Sequence, residues 1–369
     1  MTRTEQFLTG IIIVMLAIAI VAGYLYATRQ SVVVPHIAVG SDDGTSIMAT
    51  HTFPFEKNTI TISVPVDAAV YHAAKTTDKS ISIYGNVTES VWVTDSYREM
   101  VNDPAQDPMY TDLLIQFQKI RNDEGLSSDE YLELMAAYTQ SLTYETTPDN
   151  PTKYPVETVV EGAGDCDDKS VLLAGLLSRE GYNVSLLLFS PESHMALGIG
   201  SPDSLYKDTG YAYLETTNFS YVGVPPDDLE GGVVLTSEPL VIPVGNGTTL
   251  YTSGAQTTYI HDMFSISGQK VAALNAQLVP IASDLTAKQD QISEIESRME
   301  ALRSSGNIGG YNALVSSHNA QVSVYNAELS TYRGEVAQGN AYAEVYNDIL
   351  THAYDRKGTY IWVKANMPQ

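Results

Sequence analysis

Two stretches in the C-terminal quarter place an apolar residue every three to four positions, and few folds tolerate that spacing. Val271, Leu274, Leu278, Ile281, Leu285, Ile292, Ile295, Met299 and Leu302 form one seam, with Lys288 in its one polar slot. Tyr311, Val315, His318, Val322, Tyr325, Leu329, Tyr332 and Val336 form the other. A 3-4 repeat gathers these side chains into one stripe along a helix, and that stripe has to be covered by another. Between them, Ser304-Ser305-Gly306-Asn307-Ile308-Gly309-Gly310 interrupts helix formation. The reading is a coiled-coil helical hairpin over 263–353, with antiparallel helices at 269–303 and 311–352, each ~50 Å long, and a tail at 354–369. Folding about residue 307 pairs Met299 with Val315, Ile292 with Val322 and Leu285 with Leu329, and sets Lys288 opposite Tyr325. Pro280 should kink the first helix or mark its start.

The other long apolar feature lies at the N-terminus, where Phe7 to Ala27 is almost free of polar residues. About 20 helical residues cross the ~30 Å hydrocarbon core of a bilayer. The expectation is a cytoplasmic tail at 1–7 and a transmembrane anchor at 8–27. The protein would then be a single-pass cell-membrane protein, its bulk extracytoplasmic and its membrane partner met through that helix. A cleaved signal peptide with a Val21-Ala22-Gly23 site is the alternative and implies the same side. Arg3 and Arg29 flank the run and give little orientation signal. The net charge of −24, from 20 Lys and Arg against 44 Asp and Glu, argues against nucleic acid as a partner. A 44% hydrophobic content with 24 Tyr argues for a packed chain.

Residues 28–96 alternate in the manner of strands, at 59–66 and 80–84, and read as a β-rich segment without a chemical motif. Helical periodicity begins near Met109 with Leu113, Leu114, Phe117 and Ile120. A second helix opens on a capping box from Ser127 to Glu130. After the Pro-rich stretch 147–155, a third helix starts at Cys166 with a wide apolar stripe of Val171, Leu172, Leu173, Leu176 and Leu177, and Gly181 suits its left-handed C-terminus. Strands are expected at 184–189, 194–199 and 211–216, and an extended, turn-rich stretch over 221–260.

Cys166 is the only cysteine, so no intramolecular disulfide explains it. It sits in Gly162-Ala163-Gly164-Asp165-Cys166-Asp167-Asp168-Lys169-Ser170, a glycine-rich turn opening a helix whose N-terminal dipole favours thiolate. His194 and Glu215 fall on the next strands in positions compatible with one sheet face. Thiol, imidazole and carboxylate are the parts of a nucleophile, its base and the group that orients the base. Gln140 is a candidate oxyanion donor or an orienting neighbour. Of the other six histidines, His36, His51, His72, His261 and His352 have no ligand-like spacing, and His318 occupies a seam slot.

The ordered series Tyr138–Tyr144, Tyr154–Thr158, Gly162–Ser170, Gly181-Tyr182-x-Val184, His194 and Tyr213–Thr217 resembles the transglutaminase-like superfamily, and within it the prokaryotic and archaeal transglutaminase-like cysteine proteinases. The match covers about residues 97–225. The resemblance implies an α+β fold with a papain-like core over 97–262, Cys166 as nucleophile, His194 as base and Glu215 in the third triad position, where most of the superfamily has Asp. It requires no cofactor. Some secreted members need calcium near the acids around the cysteine, which here would be Asp165, Asp167 and Asp168. The function expected is a thiol-dependent peptidase, amidase or acyltransferase acting on a protein or peptide. The alternative is a non-catalytic surface protein that uses the core and the hairpin to bind a protein partner.

Overall fold

The apolar runs at 184–189 and 194–199 become the central strands of a four-stranded antiparallel sheet. Both are buried on both faces, which explains why neither alternates in sequence. The computed structural model describes residues 12, 14–21, 23, 24, 31–40, 44–146, 151–229 and 231–368. The chain is mixed α+β with a long C-terminal helical pair, and divides into two compact units, Met1–Gly254 and Ala255–Gln369.

In the first unit, β1 (Ser31–Val33) pairs with β4 (Ser82–Tyr84), and β2 (Ser46–Phe55) with β3 (Asn58–Asp67). Helices α1 (Ala68–Thr76), α2 (Glu89–Asn102), α3 (Asp107–Glu124), α4 (Ser128–Ser141), α5 (Pro155–Glu161) and α6 (Cys166–Arg179) follow, with the short parallel pair β5 (Thr143–Tyr144) and β6 (Ala163–Gly164) among them. The main sheet runs in the order β10-β7-β8-β9, formed by Leu240–Val244, Val184–Phe189, His194–Ile199 and Ala212–Leu214. An edge-to-face chain of rings, Phe53 to Tyr138 at 5.6 Å and Tyr138 to Phe117 at 5.4 Å, joins β2 to α4 and α3.

The helix that starts at Cys166 is the centre of this unit. Val171, Leu172, Leu173, Leu176 and Leu177 are all fully buried, each contributing about 1.5–3 kcal/mol on transfer from water. Gly181 ends the helix with φ 79°, as its position predicts. Gly175 is needed for another reason: a Cβ there would fall 2.0 Å from the hydroxyl of Tyr110, itself fully buried beneath the Arg179 guanidinium, which lies 3.8 Å from the ring centroid. Gly175→Ala is therefore expected to lower the thermal midpoint through overpacking worth about 1–3 kcal/mol. An unchanged midpoint would show that the ring can step aside.

The segment 28–96 is not simply β-rich, because α1 and most of α2 lie within it. Asp67 caps α1 by accepting from Ala69 N at 2.7 Å, and the Ala-rich sequence behind it favours helix. The third main strand is shorter than 211–216, and the stretch after residue 221 contains β10 and the start of a helix at Gly254.

The membrane assignment needs correction. Among the described residues, no helix is long and apolar enough to cross a membrane. The described helical residues of the N-terminal run lie between Ile12 and Tyr24. The single-pass cell-membrane localisation is not supported. The remainder of the expected 1–7 tail and 8–27 anchor lies outside the described residues.

In the second unit, α7 (Gly254–Ser304) and α8 (Ile308–Thr351) run antiparallel. Gly306 turns the chain at φ 74°, and Asn307 caps α8 by accepting from Gly310 N at 2.9 Å. Leu274, Leu285 and Ile292 are the seam residues buried most deeply. The His318 imidazole lies 3.1 Å from Glu296. The Lys288 ammonium, expected to reach water from its place opposite Tyr325, instead meets Glu328 and Asp284. Pro280 lies inside α7, which begins well before residue 269. Residues expected as a tail form α9 (Arg356–Asn366), whose Thr359 and Val363 are buried, and Phe264 of α7 stacks on Tyr346 of α8 at 4.5 Å. Tyr360 meets Tyr259 edge to face at 5.5 Å.

Candidate active site

Cys166 is the first residue of α6 because Asp165 caps the helix, its carboxylate accepting from Asp168 N while Asp168 accepts from Asp165 N. One turn later Ser170 faces the sheet. Its hydroxyl donates to Met195 O at 3.3 Å and shares a 2.9 Å hydrogen bond with Thr216 Oγ1, which lies 3.4 Å from Cys166 O. Met195 follows His194 and Thr216 follows Glu215, so this first turn is stitched to the neighbours of both other residues. The half-buried thiol has a 4.0 Å contact with Ser193 O, the residue before His194. Among the described residues no hydrogen bond joins Cys166 directly to His194.

The β8–β9 register pairs Leu197 with Leu214 and Gly198 with Tyr213. Its extension puts His194 two residues from Glu215 across the sheet, on one face. The two side chains meet there, Nε2 to Oε2 at 3.0 Å, both buried. Tyr213, two residues before Glu215 on the same face, donates its hydroxyl to the same Oε2 at 2.6 Å and lies 3.2 Å from His194 Nε2. The other carboxylate oxygen accepts from Thr216 N, Thr217 N and Thr217 Oγ1 at 3.0, 3.0 and 2.7 Å. With Nε2–H donated to Glu215, the lone pair of the neutral imidazole sits on Nδ1.

Burial pushes the Glu215 carboxyl up, but the hydrogen bond and charge of His194, then the Tyr213 hydroxyl and the Thr217 amide, outweigh it and hold the group down at about 2. A depressed carboxylate contributes stability that is complete above its ordinary value near 4.5 and is lost as pH falls toward 2. Acid unfolding should therefore have a limb in that window worth roughly 3 kcal/mol, and Glu215→Gln should flatten it in pH-dependent urea titrations. An unaltered limb would mean that other carboxylates carry it.

The thiol behaves differently. Burial, then the charge of Asp167, pushes Cys166 up to about 12, against a favourable Met195 backbone hydrogen bond. Any attack by this sulfur at neutral pH needs a base to take its proton. This direction is opposite to the one expected from the helix N-terminus alone.

The three acids around the cysteine are partly engaged within the turn. Asp168 caps the helix and accepts from Lys153 N at 2.6 Å, and Asp167 bonds Thr152 and Asp165. Among the described residues, only Asp165, Cys166 and Asp167 bring ligand atoms within 4.8 Å of one another. Two carboxylates would supply part of the six to eight oxygens that calcium takes, the rest having to come from carbonyls or water.

Gln140 is an orienting neighbour: its Nε2 donates to Glu215 O at 2.9 Å and Ser220 O at 3.0 Å. Tyr213, Ser170 and Thr216 were not singled out from sequence, although Tyr213 carried a legible signal, two residues from Glu215 on a strand. No family model, curated protein or solved structure matches this chain.

Proposed function

We propose that the first unit is a thiol-dependent acyl-transfer enzyme with a papain-like, transglutaminase-like core, acting on a protein or peptide substrate. The observation that carries this is the His194–Glu215 pair at 3.0 Å on the sheet face to which the first turn of the Cys166 helix is hydrogen-bonded. The Cys166 sulfur attacks an amide carbonyl as its proton passes to His194 Nδ1, and a carbon–sulfur bond forms. Glu215 balances the imidazolium charge, and backbone N–H groups at the start of α6 face the oxyanion. Collapse of the tetrahedral species breaks the carbon–nitrogen bond, and the amine leaves with the proton from His194. Water then cleaves the thioester in a peptidase or amidase; an amine accepts the acyl group in a transferase.

The test uses the full chain with a mixed library of peptidyl aminomethylcoumarin amides, with and without glycine methyl ester as acceptor, and Cys166→Ala as control. Coumarin release that requires Cys166, with an acyl mass on the Cys166 peptide at short times, is the expected result. Equal release by the Cys166→Ala variant would refute it. A second reading, a non-catalytic binding module, draws support from the thiol held at about 12; it predicts no acyl mass with any library member.

A further inference from the structure

Lys169 is the most unusual buried group in the first unit. The side chain is fully buried, one turn along α6 from Cys166. A lysine there is expensive, since an apolar residue of the same volume would avoid the desolvation cost. Its ammonium has three N–H groups, and three carbonyls receive them: Gln140 O at 3.2 Å, Leu142 O at 2.8 Å and Thr217 O at 3.1 Å. Two of these belong to the C-terminal end of α4, where helix carbonyls lack partners and carry partial negative charge. The third belongs to the loop that follows Glu215.

That loop is what sets the position of the carboxylate. Glu215 Oε1 accepts from the amides of Thr216 and Thr217 and from the Thr217 hydroxyl, so its carboxylate moves with the backbone of 215–217. The backbone in turn is held from α6 by Lys169 at Thr217 O, and from α4 by Gln140 Nε2 at Glu215 O and Ser220 O. One ammonium thus ties the cysteine helix, the end of α4 and the acid's loop at a single point.

We infer that Lys169 is a positioning residue for the thiol site: by gripping Thr217 O and the end of α4 it fixes Glu215 against His194, and through that pair sets the reactivity of Cys166. This rests on the thiol-enzyme reading above. The charge has a second consequence. While His194 is neutral, as a base must be, the buried Glu215 carboxylate has no cation on the imidazole, and Lys169 supplies the compensating charge, the attraction that partly offsets the downward effect of burial on Lys169. Without Lys169 the carboxylate would draw the imidazole toward its cationic form, which cannot accept the thiol proton.

Lys169→Met and Lys169→Arg in the full chain separate this role from a merely structural one, the first removing the charge at similar volume and the second keeping it. The second-order rate of Cys166 alkylation by iodoacetamide is measured from pH 5 to 10, with circular dichroism to establish folding. The Met variant should react about tenfold more slowly at pH 7, with its rise displaced upward by about one pH unit, and the Arg variant should recover part of both. A folded Met variant with the wild-type profile overturns the inference and leaves the thiol-enzyme reading standing. So does a uniform loss of rate without displacement, or failure of both variants to fold, because the ammonium would then serve the fold alone. A wild-type chain whose own rate does not rise below pH 8 overturns the thiol-enzyme reading itself, and the inference with it.

Discussion

Glu215→Ala should slow alkylation of Cys166 at pH 7 by about a hundredfold and destabilise the first unit by several kcal/mol. Both effects come from one carboxylate. Five donors converge on it: His194 Nε2, the Tyr213 hydroxyl, Thr216 N, Thr217 N and the Thr217 hydroxyl. Truncation leaves buried donors unpaired, each costing about 1–3 kcal/mol where no water replaces the partner. Lys169 would also keep its buried charge without the carboxylate that balances it. Loss of general-base function accounts for about 10²–10⁴-fold in rate. Urea titration and the alkylation rate at pH 7 check the two halves separately. A variant that lost stability but kept the rate would remove Glu215 from the site and leave it a structural residue.

The second large effect is expected in the helical unit. Val345 is fully buried in α8, at the end of the unit where Phe264 of α7 stacks on Tyr346 of α8 and Tyr259 of α7 meets Tyr360 of α9. Val345→Asp would bury a carboxylate at a fully buried position, at a cost of about 3–5 kcal/mol where it stays unpaired. Hydrogen exchange should show loss of protection in all three helices around 257–267, 342–349 and 359–363. Ile292→Asp, farther along the seam, should act more locally, because only the facing helix covers that position. Equal loss of protection from both substitutions would contradict an end built from three helices and a seam built from two.

Much of this was legible in the sequence where a periodicity or a spacing had one physical solution. The 3-4 seams gave the helical pair, the Ser127–Glu130 box gave the start of α4, and the apolar runs gave β7 and β8 to the residue. The hairpin stopped being legible where its partners changed: α9 has a short apolar face, Thr359 and Val363, too few positions to register as a repeat. The β-rich reading of 28–96 overlooked α1 because Ala68–Thr76 is short and follows a long strand without a break.

At the candidate site, the meeting of His194 and Glu215 follows from strand parity. What surrounds them was not legible. Lys169 stood in the quoted motif and drew no attention, although helical spacing puts it one turn from Cys166 beside an apolar stripe. Its partners are backbone carbonyls, which leave no trace in side-chain spacing. The elevated thiol could not be foreseen either, since it depends on burial and on how closely Asp165 and Asp167 approach the sulfur.

The most direct test of the central claim is the pH dependence of iodoacetamide alkylation of Cys166 in the wild-type chain beside a His194→Ala variant. If His194, held by Glu215, takes the thiol proton, the wild-type rate should rise with a midpoint below pH 8 and the variant should lose that rise. If Cys166 is a buried thiol with no base, both proteins should give one curve, climbing only as pH approaches the thiol's own value of about 12.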